Sequence, residues 1–415
     1  MYNLVLYIYA FGVWVASFFN KKVRKMVVGQ RKTFDILRRN IGKTDRVVWF
    51  HAASLGEFEQ GRPLMERLRR ERPEFKILLT FFSPSGYEVR KNYDGADVVC
   101  YLPLDTPCRA HYFLKLARPE IGIFIKYEFW QNYLTKAHRR GVRLYSVSSI
   151  FRPQQHFFKW WGNSKPLRQF DHLFVQNQVS ADLLRSRGID CVTIVGDTRF
   201  DRVLDIRHAA QDLPLVQEFQ HGRHVFIAGS SWEPDEEIYI PYFAQHRDWK
   251  LIIAPHKIGE ARLKNLEKQL DDNGFSHIRY TAAGVSRSAS LSLGGEADVL
   301  IVDCFGKLSS IYRYGDVALV GGGFGVGIHN VPEAAVYGVP VLFGPNNDKF
   351  REAQALLACG GAFEFVDSES FAAQMNRFIS DADYLHAAGE KAGKYISSNA
   401  GASDICYRHI FSNLP

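Results

Sequence analysis

The chain has 415 residues, 46% of them hydrophobic and 23% charged, with a formal net charge of +8 and a pI near 9.0. That balance and length fit a soluble globular protein of roughly two to three domains. With no repeat period of 20 to 50 residues and no long low-complexity segment, solenoids and tandem arrays are excluded. The basic excess favours an anionic partner, whether nucleic acid, acidic membrane or phosphorylated substrate. The six cysteines, Cys100, Cys108, Cys191, Cys304, Cys359 and Cys406, form no CxxC pair and have no histidine at metal-ligand spacing. A reducing cytoplasm and no structural zinc are expected.

Leu4 to Phe19 is an uncharged apolar run rich in Tyr, Phe and Trp, and Lys21, Lys22, Arg24 and Lys25 follow it. A signal peptide would place the charge first, so residues 1–25 are expected to be a membrane anchor with a basic flank. The positive-inside rule then leaves the remainder in the cytoplasm. Sixteen helical residues reach only ~24 Å against a hydrocarbon core of ~30 Å, so shallow insertion competes with a full span. A core helix with a basic end is the alternative.

Short apolar runs then alternate with amphipathic stretches. The first series is Val47 to Ala52, Lys76 to Phe82, Ile121 to Ile125, Val142 to Val147, His172 to Val175 and Cys191 to Val195. The second is Val225 to Gly229, Leu251 to Ala254, Val299 to Val302, Val317 to Val320 and Val339 to Phe343. This βαβ rhythm predicts an α/β fold with two Rossmann-like domains facing across a cleft. The domains are expected at 26–205 and 223–415, joined by a polar linker at 206–222 that carries Pro214, with the last helix able to pack back on the first domain. Ligands of open α/β sheets bind beyond the carboxyl ends of the strands, and each motif below follows a predicted strand.

After the strand ending at His51, Ala52-Ala-Ser-Leu-Gly-Glu57 turns into a helix. Glu57 at the helix mouth can accept a proton from a hydroxyl if Phe50 and Phe58 give it apolar surroundings. Ser54 with Glu57 three residues on also reads as a capping box. Glu128, within Lys126-Tyr-Glu-Phe-Trp130, is expected to pair with Lys126 or Arg199, either for catalysis or as a structural bridge. Arg199, in Gly196-Asp-Thr-Arg-Phe-Asp201, places a cation where negative charge can develop.

The second half carries Gly229-Ser-Ser-Trp-Glu-Pro-Asp-Glu-Glu237 and Ala254-Pro-His-Lys257, both able to line a nucleotide site. Its most informative stretch is Val317-Ala-Leu-Val-Gly-Gly-Gly-Phe-Gly-Val-Gly-Ile-His-Asn-Val-Pro-Glu333, a strand running through glycines into a helix. It reads as a phosphate cradle with Glu333 placed for a ribose, or as a tight turn with Glu333 a solvated first-turn acid. The loop has no Lys-Ser/Thr of a Walker motif, and its acid lies too close for a dinucleotide fingerprint.

Taken together, His51-Ala-Ala-Ser-Leu-Gly-Glu57, Lys126-Tyr-Glu-Phe-Trp130, Gly196-Asp-Thr-Arg-Phe-Asp201, Phe305-Gly-Lys-Leu308 and Gly327-Ile-His-Asn-Val-Pro-Glu333 resemble the bacterial 3-deoxy-D-manno-octulosonic acid (Kdo) transferases, over nearly the whole chain. The resemblance implies a GT-B fold and inverting transfer of Kdo from CMP-Kdo to a lipid A precursor, lipid IVA, in lipopolysaccharide core synthesis. It assigns Glu57 as general base, Glu128 and Arg199 as transition-state stabilisers, and Pro255, His256, Phe305, Gly306, Lys307, Asn330, Val331, Pro332 and Glu333 to CMP. Many relatives carry Lys at Arg199, Arg at His256 and His at Trp232; Arg199 keeps the charge with a different geometry.

CMP leaves without an acid, so positive potential around its phosphate is the requirement, expected from the glycine loop, a helix N-terminus and Lys307. No cofactor and no metal are expected. The expected partners are CMP-Kdo, the lipid A precursor and an anionic membrane surface, with no nucleic acid. The expected location is the cytoplasmic face of the inner membrane. An epimerase or sialyltransferase-like enzyme on the same scaffold, and a non-catalytic membrane-surface scaffold, are the alternatives.

Overall fold

A computed structural model describes residues 2–286, 297–325 and 327–412. The chain divides into two units, Met1–Arg202 with Ala400–Pro415, and Val203–Asn399.

The first unit opens with two helices, Tyr2–Phe19 and Lys21–Asn40, packed on each other. The basic flank of the expected anchor is thus the first turn of a second helix, whose start is capped by the Asn20 side chain accepting from the Lys22 and Val23 amides at 2.9 and 3.3 Å. Seven parallel strands follow: β1 (Arg46–Ala52), β2 (Phe75–Phe81), β3 (Val98–Tyr101), β4 (Pro119–Ile125), β5 (Arg143–Ser149), β6 (His172–Val175) and β7 (Val192–Ile194). Their order is β3-β2-β1-β4-β5-β6-β7, so the winding reverses between β1 and β4. Alternation along β1 feeds two cores. Val47 and Trp49 pack on one face with Phe113, Phe124 and Tyr133, while Val48, Phe50 and Ala52 face the helix Leu55–Glu71 and the final helix Ala402–Phe411. Each such fully buried side chain stabilises the unit by about 1.5–3 kcal/mol. The Asp201 carboxylate accepts from the Gly401 and Ser403 amides at 2.5 and 2.8 Å, tying the final helix to the first unit.

The second unit holds β8 (Val225–Ser231), β9 (Lys250–Pro255), β10 (His277–Arg279), β11 (Val299–Ile301), β12 (Val317–Val320), β13 (Val341–Phe343) and β14 (Ala362–Glu364), again all parallel. The order β10-β11-β9-β8-β12-β13-β14 reverses between β8 and β12.

The expected linker needs correcting. The helix Arg199–His208 extends into residues 206–222, and Pro214–Gln220 forms another helix whose Val216 and Phe219 are fully buried. Pro214 sits where a helix's first turn tolerates it, and the Leu213 amide donates to the Tyr314 hydroxyl at 2.8 Å. This stretch therefore belongs to the second unit.

Candidate functional site

Each sheet carries polar groups where its winding reverses, the place at which open α/β sheets bind ligands. In the first unit that place lies beyond β1 and β4. Ser54 is the N-cap of the helix Leu55–Glu71, yet its side chain caps no backbone amide; its hydroxyl donates to the Glu57 carboxylate instead. The capping box is therefore absent. Glu57 is partly exposed and, among the described residues, has no cationic partner. Neighbouring Glu59, by contrast, is engaged by Arg62, Arg90 and Arg202. Phe50 and Phe58, expected to surround Glu57, are consumed by the core, where Phe58 packs edge-on against Tyr93.

One helical turn beyond Glu57, the buried Gln60 donates to Asp197 Oδ1 at 2.8 Å. Asp197 in turn orients Arg199, whose Nε and Nη2 reach Asp197 Oδ2 at 3.0 and 2.9 Å. The Thr198 hydroxyl donates to the Gln60 carbonyl at 2.7 Å, which pins this loop to the Glu57 helix. Glu57 and Arg199 are thus held through one polar bridge.

Glu128 follows β4, after Lys126 in the left-handed region at φ 67°. The expected pairing with Lys126 or Arg199 is replaced by two other donors: Trp130 Nε1 at 2.6 Å and His51 Nε2 at 3.0 Å, both to Glu128 Oε2. His51 is fully buried at the end of β1, and its Nδ1 lies 2.9 Å from the Thr80 hydroxyl and 3.1 Å from the Thr80 carbonyl. The Thr80 hydroxyl gives its hydrogen to the Phe50 carbonyl at 3.2 Å and accepts from Trp49 Nε1 at 2.8 Å. The ring thus bridges Thr80 on one side to the Glu128 carboxylate on the other. The sequence placed His51 inside a motif without giving it a role. Its signal was a polar residue closing an otherwise apolar strand.

In the second unit the loops after β8, β9 and β12 converge. Trp232 stacks on His256 at 4.6 Å between centroids and His256 on His329 at 4.4 Å, while Trp232 Nε1 donates to His329 Nε2 at 3.3 Å. Burial, with the His256 charge adding to it, pushes the His329 pKa down, which suits a neutral acceptor nitrogen. Trp232 and His329 lie in stretches that the sequence pointed to as a nucleotide site, but neither was given a role of its own. His256 is exposed, as is Phe305 at 79%, beside Gly306 at φ 80°. Lys307 Nζ meets the neutral Gln211 Oε1 at 3.1 Å, and Asn330 Nδ2 holds Glu333 Oε1 at 2.6 Å. Pro255, Val331 and Pro332 are buried.

The glycine loop is not an open cradle. The Gly321 amide donates to Gly229 O, that of Gly322 to Asp235 Oδ2, and those of Gly325 and Gly327 both to Gly322 O. A Cβ on Gly321 would come within 2.5 Å of Ser230 O and 2.6 Å of Asp235 Oδ2. These glycines serve close packing around Asp235, whose carboxyl is pushed up by burial. The helix that follows, Pro332–Ala335, is a single turn and supplies little dipole. Among the described residues no group of three His, Cys, Asp or Glu side chains is placed to hold a metal ion.

Two doubly wound parallel sheets with helices, each carrying polar groups at its reversal point, define an α/β protein of the GT-B type. The sequence profile of the 3-deoxy-D-manno-octulosonic-acid transferase (kdotransferase) family matches residues 28–202. The chain is 29% identical over 362 residues to a 3-deoxy-D-manno-octulosonic acid transferase of Aquifex aeolicus, covering 84% of this chain and 91% of that one. It is 27% identical over 375 residues to one of Bordetella pertussis, covering 86% and 85%. Among solved structures, a putative UDP-N-acetylglucosamine 2-epimerase from Listeria monocytogenes has a TM-score of 0.58 at 13% identity, covering 90% of this chain and 98% of that one. The UDP-GlcNAc 2-epimerase of Neisseria meningitidis gives 0.58 at 13%, covering 89% and 100%. These structures share the fold alone. The matched profile and these relatives, which span most of the chain, support a Kdo transferase, a glycosyltransferase.

Proposed function

We propose that the chain moves Kdo from CMP-Kdo to a lipid A precursor, lipid IVA, with inversion at the anomeric carbon, at the cytoplasmic face of the inner membrane. The observation that carries this reading is Glu57: a carboxylate without a cationic partner among the described residues, steadied by Ser54 at the reversal point of the sheet that the family profile covers. Glu57 takes the proton of the acceptor hydroxyl as that oxygen bonds the anomeric carbon. The bond from that carbon to the phosphate oxygen breaks, and its electron pair leaves with CMP. Arg199, fixed by Asp197, and Glu128, fixed by His51 and Trp130, stabilise the charges that develop.

In the second unit Lys307 supplies positive charge for the departing phosphate and Glu333 addresses the ribose. Phe305 and the Trp232–His256–His329 stack offer aromatic faces to the cytosine. The reading calls on no metal. The N-terminal helix with Lys21, Arg24, Lys25, Arg31 and Lys32 meets the anionic membrane and the phosphorylated acceptor.

The test is incubation of purified protein with CMP-Kdo and lipid IVA, with and without a chelator, reading product mass. Glu57→Ala is expected to abolish product while CMP still binds, and chelation to leave the rate unchanged. Turnover by the alanine variant would remove Glu57 from this role. An altered sugar nucleotide without acceptor product would favour the epimerase alternative, and absence of CMP binding a non-catalytic scaffold.

A further inference from the structure

We infer that the turn Lys159–Gly162, with its paired tryptophans, is a second membrane contact, and that it enters the same leaflet as the N-terminal helix, which lies in the bilayer plane. This inference rests on the membrane association proposed above. Trp160 is 92% exposed and Trp161 64%, a large apolar area to leave in water on a single turn. The turn is braced. The Gly162 amide donates to Lys159 O at 2.8 Å, Arg187 Nη2 donates to the same carbonyl at 2.9 Å, and a Cβ at 162 would lie 1.7 Å from His156 O. The tryptophans are therefore presented by a rigid support, and tryptophan favours the membrane–water boundary.

The N-terminal helix adjoins this turn, since Trp161, Tyr2 and Val5 line one cavity of about 540 Å³. The helix has two faces. Leu6 and Ser17 are buried, and between them Ala10 and Val13 line a cavity shared with the second helix. Leu4, Ile8, Phe11, Val15 and Phe18, spaced four, three, four and three apart, form an exposed stripe. Its start is latched: the Tyr2 hydroxyl donates to Asp105 Oδ2 at 2.6 Å, and Asn132 Nδ2 to Asn3 Oδ1 at 2.8 Å. Its far end runs directly into the second helix at Lys21. A helix held at both ends and along one face cannot cross a bilayer without giving up those contacts; lying in the interface, it keeps them and buries the outward stripe.

The occupant is a bilayer with anionic headgroups. At the other end of the helix Lys21, Arg24, Lys25, Lys32 and Lys91 line a groove of about 600 Å³, with Glu88 the acidic residue among its lining. Lys159 and Lys165 flank the tryptophans. Basic groups beside an apolar face are the pattern that holds an interfacial helix on acidic lipid.

The experiment is sedimentation of the full chain with vesicles of phosphatidylglycerol and phosphatidylethanolamine. Trp160→Ser/Trp161→Ser is expected to raise the lipid concentration for half-binding by about tenfold or more, from the apolar area withdrawn. Trp160→Ser alone, at a side chain almost wholly in solvent, shifts it the same way with the fold untouched. Unchanged partition overturns the inference. Failure of the parent chain to sediment instead overturns the membrane association on which it rests. A protease-cleavable tag at the N-terminus, on protein added outside sealed vesicles, should be fully cleaved; protection would refute the in-plane helix.

Discussion

His51→Ala tests whether Glu128 acts through a fixed carboxylate. His51 is fully buried, and its removal deletes a 3.0 Å bond to Glu128 and a 2.9 Å bond to Thr80. Thr80 keeps Trp49 and Phe50 as partners, whereas Glu128 keeps only Trp130. The main loss is thus one charge-assisted hydrogen bond, worth about 1.5–3 kcal/mol. If Glu128 acts in the transition state, that loss lowers kcat by about 10- to 150-fold. CMP affinity should not move, because the groups proposed to hold the nucleotide belong to the second unit. The assay is steady-state transfer at saturating CMP-Kdo, with CMP binding measured by calorimetry on the same preparation. His51→Gln, which can still donate to Glu128, should recover part of the rate. A folded His51→Ala protein with the parent kcat would refute the role given to this pair.

Two further predictions concern the scaffold. Gly321→Ala forces a methyl against Ser230 O and Asp235 Oδ2, so it should cost about 1–3 kcal/mol of stability and weaken CMP binding; denaturant titration and calorimetry would check both. Burial pushes the Asp105 carboxyl up to about 6 from its ordinary 3.8. A raised carboxyl pKa favours the protonated folded form, so this contribution is complete below the ordinary value and is lost as pH rises through 6. Relative to Asp105→Asn, the parent chain should lose about 3 kcal/mol between acid and neutral pH; a difference independent of pH would contradict this.

Much of the architecture was legible because β-branched runs such as Val47-Val-Trp-Phe and Leu251-Ile-Ile leave no helical periodicity. The strands that escaped are β3, β10 and β14; the last two, His277-Ile-Arg and Ala362-Phe-Glu, carry too few apolar residues to stand out as a run. Residues 206–222 read as a linker because they are polar and carry a proline, yet that proline opens a helix. The glycine loop left two readings open, cradle or tight turn, for a different reason. Glycine marks a close approach, and sequence cannot tell whether the approaching group is a ligand or, as here, the protein's own Asp235 and Ser230. Glu57 was visible from its place after a strand, whereas its link to Arg199 through Gln60 and Asp197 spans 137 positions and exists only in three dimensions. His51 needed Thr80 and Glu128 beside it before it acquired a role.

The return of the last helix to the first unit bears on how the protein is made. Cys406, Ile410 and Phe411 close a core begun by Val48 and Phe50, so a nascent chain emerging from the ribosome carries an open apolar wall while the intervening 197 residues, Val203–Asn399, are still being translated. The half made first is therefore the half completed last. Stop codons or proteolytic nicks near residue 400 would strike it at the opposite end of the polypeptide from Glu57.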